Sequence, residues 1–130
     1  MYISASFIGA VLAFATQVAS TGINCQGSSN CGLVSPANLD EIIRKAQNIG
    51  DNHIFQNGDE IVQLQFGGWS GGSLKAFAQG TSNGIAGWKV KQLLGFLDAH
   101  GCSRCGSVPL NFPNDNDVHS AGMLTVNWVK

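Results

Sequence analysis

Charge is scarce in this chain. Of 130 residues only 12% are Asp, Glu, Lys or Arg, and 7 basic side chains against 8 acidic ones leave a net charge of −1 with neutral histidines. Nucleic-acid binders and polybasic membrane-surface proteins carry a basic excess, so this balance argues against both. No apolar run reaches the roughly 20 residues of a membrane-spanning helix. The longest, Phe7 to Ala15, holds nine. No Asn-x-Ser/Thr triplet occurs, which leaves no acceptor for N-glycosylation. Internal repeats and separating linkers are missing too, so a single domain is expected at this length. With 44% apolar residues and low net charge, wholesale disorder is excluded.

The scarcity is uneven. The first twenty residues carry no charge and 14 of them are apolar, whereas all 15 charged side chains come later. A nine-residue apolar core followed by the small residues Val18-Ala19-Ser20 has the proportions of a secretory signal peptide, although the usual early lysine or arginine is missing. A buried helix or strand is the competing reading, and the segment shows no polar face to support it. Residues 1–20 are therefore expected to be a signal, cut after Ser20, and residues 21–130 the mature domain. Export leads to an oxidising compartment, where cysteines pair. Cys25, Cys31, Cys102 and Cys105 all lie in the mature part, and four cysteines allow three pairings among which counting does not choose.

Hydrophobic spacing places the elements. Ser35-Pro36 suits a helix start, and Leu39, Ile42, Ile43, Ala46 and Ile49 share one helical face, so a helix is expected over about 36–49. Ile54-Phe55 and Ile61–Phe66 read as strands around the turn dipeptide Asn57-Gly58. Ser73–Gln79 alternates as a third strand, and 81–87 reads as a loop. Val90, Leu93, Leu94 and Leu97 stripe a second helix over about 88–99, which Gly101 ends. Residues 108–116 read as a loop rich in proline and asparagine, and Met123–Val129 alternates as a last strand. The expected class is α+β, with helices on one face of a mostly antiparallel sheet.

Catalytic and metal motifs are thin. Gly68-Trp69-Ser70-Gly71-Gly72 fits the Gly-x-Ser-x-Gly nucleophile turn, but its flanks read as strand-loop-strand, and a glycine-rich loop is the plainer reading. Cys102-Ser-Arg-Cys105 has redox or zinc spacing, yet it follows a helix and lies in an exported chain, where structural disulfides are expected. Asn114–Asp117 with His119 lacks the spacing of a calcium loop and reads as a solvated turn. His53 and His100 have no evident partner. No enzyme activity, metal or cofactor is expected.

Two blocks carry a family likeness. Gly22-Ile-Asn-Cys-Gln-Gly-Ser-Ser-Asn-Cys-Gly32 and His100-Gly-Cys-Ser-Arg-Cys-Gly-Ser-Val-Pro-Leu110 together resemble the type-four killer toxin family, known from virally encoded toxins of smut fungi and their fungal homologues. Asn116-Asp-Val and Gly122–Val129 resemble its C-terminal strand. The resemblance implies a small α/β sandwich, an antiparallel sheet with two antiparallel helices on one face. It also implies the pairs Cys25–Cys102 and Cys31–Cys105. Other cysteines of the family are replaced here, by residues such as Gln65 and Gly84, and packing of Trp69, Trp88 and Phe77 is expected to compensate.

The resemblance further implies a secreted antifungal protein that blocks fungal calcium channels through a basic stretch. The matching stretch here, Gly58 to Gln65, holds two acids and no base, and approximately Gln63 stands where the family has its key lysine. Carboxylate-lined channel mouths attract cations, so a neutral amide contributes little there. Lys75, Lys89, Lys91 and Arg104 are the candidate basic contacts instead. The expected partner is a membrane channel or other cell-surface protein of a target cell, not nucleic acid, met by a monomer. The alternative is a secreted effector or interaction module that keeps the fold without blocking a channel.

Overall fold

The computed structural model describes residues 22–32, 38–65 and 71–130. The expected leader, the helix start at Ser35-Pro36, Phe66, and the Trp69-Ser70 loop lie outside the described residues. In chain order the elements are a 3-10 turn at Ser29–Gly32, α1 (Leu39–Ala46), β1 (Ile54–Phe55), β2 (Glu60–Gln65), β3 (Ser73–Gln79), β4 (Ile85–Ala86), α2 (Gly87–Ala99), β5 (Gly106–Pro109), α3 (Val118–Ala121) and β6 (Met123–Val129).

Alternation along the strands builds the core. The main sheet runs β2-β3-β6-β5 with every neighbouring pair antiparallel. Leu74, Ala76 and Ala78 of β3 stand opposite Trp128, Val126 and Leu124 of β6, and Val62 and Val108 extend the same face outwards. Leu39, Ile42 and Ala46 of α1 and Val90, Leu93, Leu94 and Leu97 of α2 bury that face in one continuous core. Each such leucine contributes roughly 1.5–3 kcal/mol by leaving water. The other face carries Lys75, Phe77, Thr125 and Asn127. This is the α+β architecture that the spacing and the resemblance imply, with helices on one side of an antiparallel sheet and two disulfides.

Helix ends are set locally. Asn38 caps α1, its Oδ1 accepting from the Glu41 amide at 3.0 Å. Asp40 and Glu41 open the helix and Arg44 and Lys45 close it, each sign matching the helix dipole. α2 has no side-chain cap. Its first two amides instead donate to the carbonyls of His53 (2.8 Å) and Asp51 (3.0 Å). The approach is so close that a Cβ on Gly87 would lie 1.9 Å from the Gly50 oxygen, so only glycine fits.

Several expectations need correction. The first helix is shorter than 36–49, because Asn38 caps it and a turn follows Ala46. Asn57-Gly58 does not close a hairpin between β1 and β2. β1 pairs with β4, and the Asn57 carboxamide is held by Thr81, donating to its carbonyl (2.7 Å) and accepting from its amide (2.9 Å). The supposed loops 81–87 and 108–116 contain β4 and the end of β5, too short and too rich in glycine and proline to read as strands. α3 was not foreseen either. Trp88 is 53% exposed and does not fill the core.

Candidate functional site

Four cysteines gather at one end of the molecule. Cys25 bonds Cys102 and Cys31 bonds Cys105, and among the described residues no cysteine is free. These are the pairs that the family resemblance implies. The fold presents them simply: Gly101, at φ +100°, turns the chain out of α2, so Cys102 and Cys105 meet the incoming N-terminal segment. A shallow pocket of about 230 Å³ opens beside both bridges, with Arg104 at its side. A second, of about 360 Å³, joins Arg104 to Asn38, Asp40 and Asp98.

The bridges fasten the segment 22–32 along the sheet. Asn24 exchanges backbone hydrogen bonds with Ser107 of β5, at 3.0 and 2.9 Å. The Ser28 amide donates to Asn127 Oδ1 (2.9 Å), and the Ile23 amide donates to Asn116 Oδ1 (2.9 Å). The Asn114–Asp117 turn thus serves as an anchor. Its other bonds are local, with the Asp115 amide donating to the Asn111 carbonyl, the Asp117 amide to Asp115 Oδ1 and the His119 amide to Asp117 Oδ1. No cluster of three metal-ligating side chains occurs among the described residues.

The four candidate basic residues are spread over the surface. Lys75 lies on β3 and pairs with Glu60 at 3.4 Å. Lys91 pairs with Asp51 at 2.7 Å. Lys89 stands two residues away on the same helix, a spacing that points side chains apart, and its Nζ sits 5.5 Å from the Trp88 ring centroid. Arg104 stands by the disulfides. The structure brings Lys89 to Trp88 and Arg104 to the cysteines, but it brings no two of the four together.

Two features escaped the sequence reading. Among the described residues Ile54 (47% exposed) and Trp88 are the exposed large apolar side chains, where the β1–β4 ribbon meets the start of α2. The position of Trp88 off the Val90-Leu93-Leu94-Leu97 stripe was the available signal. The other feature is Lys45. Its Nζ donates to the Gln63 carbonyl at 2.7 Å, while Lys75 is the direct cross-strand neighbour of Gln63. The acidic stretch Gly58–Gln65 is therefore flanked in space by two lysines that lie far from it in sequence. A groove of about 510 Å³ lies there, lined by Lys45, Asn48, Ile49 and residues of β2.

A likeness to known proteins runs over nearly the whole chain. The chain is 40% identical over 112 residues to the KP4 killer toxin of the Ustilago maydis P4 virus, covering 86% of this chain and 83% of the toxin. The Kp4 family model matches residues 8–130. The chain therefore belongs to the Kp4 killer toxin family.

Proposed function

We propose that this protein is a secreted antifungal toxin that acts at the surface of a target cell by binding, without catalysis. The observation that carries the reading is the double clamp Cys25–Cys102 and Cys31–Cys105 within a Kp4 fold. Such bonds persist in oxidising compartments and suit a small domain that must survive outside the cell. The finer reading is inhibition of a fungal calcium channel by a cationic contact. Approximately Gln63 stands where the family has its lysine, but the Lys45 ammonium reaches its carbonyl and its cross-strand partner Lys75 pairs with Glu60 close by, and a carboxylate-lined mouth attracts positive charge.

A second reading is favoured by one feature. The stretch 58–65 carries Asp59 and Glu60 and no base, which suits an effector that has kept the fold and changed its partner. Purified protein applied to competing fungi, with and without added calcium, separates the two. Growth inhibition relieved by calcium and weakened by Lys75→Glu is expected for channel block. Absence of any growth effect at high dose overturns the antifungal reading and leaves the effector.

A further inference from the structure

An edge strand presents backbone N–H and C=O groups that a further strand can complete. Among the described residues β2 pairs only with β3, so its far side is such an edge. The groove of about 510 Å³ runs beside it. On an edge strand alternate residues turn both backbone groups away from the sheet. The Lys45 ammonium marks Gln63 as one of them, standing 2.7 Å from its carbonyl oxygen where the N–H of a neighbouring strand would lie. We propose that this edge docks an extended segment of another protein as a fifth strand of the sheet, and that the segment carries a carboxylate for Lys45.

Charge selects the occupant: Glu60 also lines the groove, but its carboxylate is paired with Lys75 at 3.4 Å, whereas among the described residues the Lys45 ammonium meets only a backbone carbonyl. A docking strand displaces Lys45 from Gln63 and leaves its ammonium at the rim of the groove. An acidic side chain on the incoming segment pairs with it, and a basic one is repelled. A second copy of this chain fits badly, because pairing β2 with itself about Gln63 brings two Lys45 ammonium groups together, and opposed like charges are destabilising. The opposite edge of the sheet is already taken by Asn24 on Ser107. The inference concerns a backbone edge and does not rest on the antifungal reading, so either stands if the other fails.

The test uses the isotope-labelled full-length gene product, recovered in its disulfide-bonded form from expressing cells. It is titrated with a capped hexapeptide alternating valine and glutamate and followed by amide NMR. Expected shifts are confined to Gln63, Gln65 and Lys45, because the β-bulge between Glu60 and Val62 breaks the alternation at Ile61. Replacing glutamate by glutamine weakens binding about two- to fivefold, the range of a partly exposed ion pair, and lysine weakens it further. N-methylating the peptide amides that face β2 abolishes binding. Gln63→Pro, a substitution that edge strands tolerate where the N–H faces solvent, does the same while leaving the other amide shifts in place. Absence of shifts at millimolar peptide overturns the proposal, as do shifts that survive N-methylation. Concentration-dependent dimerisation through the same amides, without peptide, assigns the edge to a second copy and also overturns it.

Discussion

The two edges of the main sheet are closed by different means. At β5 the chain itself covers the edge: Asn24 exchanges two hydrogen bonds with Ser107, and the disulfides at Cys25 and Cys31 fasten the covering segment directly after that contact. At β2, among the described residues, an exposed ammonium, Lys45 on Gln63, occupies the edge. The covalent closure makes β5 part of the permanent structure. The lysine is a placeholder that discourages self-pairing, as charged residues on edge strands do, and yields to a better partner. A protein of this size, with limited core area per residue, thus holds one side fixed and leaves the other available.

The largest expected effect removes the fixed closure. Replacing Cys25 and Cys102 together by serine removes a bridge whose ends lie 77 residues apart, but Cys31–Cys105 still closes nearly the same loop, so the chain-entropy model gives about 2–3 kcal/mol of lost stability. Denaturant unfolding measures the loss, and hydrogen exchange at the Ser107 amide shows whether the edge has opened. If that amide stays protected, the bridge is not what holds the segment down. A smaller effect follows from filling the space beneath the segment. A Cβ on Gly106 would lie 2.5 Å from the Asn24 oxygen and 3.1 Å from Cys102 Sγ, so Gly106→Ala is expected to cost about 1–3 kcal/mol by overpacking. An unchanged unfolding midpoint would show that the segment shifts freely. Smaller again is Asn127→Ala, which removes the acceptor for the Ser28 amide and is expected to cost about 1 kcal/mol, with faster exchange at Ser28 as the local readout.

These differences were only partly legible in the amino-acid sequence. The core was, because Val90, Leu93, Leu94 and Leu97 keep helical spacing and Leu74, Ala76 and Ala78 keep strand spacing, and both periods survive folding as burial. The cysteine pairing was not readable from spacing, which permits three arrangements, and came from the family blocks around Cys25, Cys31, Cys102 and Cys105. β5 was hidden because Gly106 and Pro109 look like loop residues, and an edge strand tolerates both. The contact of Lys45 with Gln63 was hidden for a different reason. Lysine in the last turn of a helix is fully accounted for by the dipole, and nothing local reveals that its ammonium reaches a strand 18 residues away.

Lys45→Ala gives the smallest change in stability and the sharpest test of the comparison. Lys45 is exposed, and substitutions at such positions shift folding stability by no more than about 0.5 kcal/mol. Its absence leaves the Gln63 carbonyl to water and removes the charge that opposes self-pairing, so the variant is expected to unfold at the native midpoint yet associate at lower concentration. Light scattering across a concentration series measures this, and Lys45→Arg, which keeps the charge, is expected to stay monomeric. A matching variant at the other edge separates the two closures. Asn24→Ala keeps the backbone bonds to Ser107 and the disulfides, so it is expected to leave association unchanged. Equal association of the Lys45→Ala and Asn24→Ala variants would mean that the two edges are guarded alike, and that the lysine is not the guard at β2.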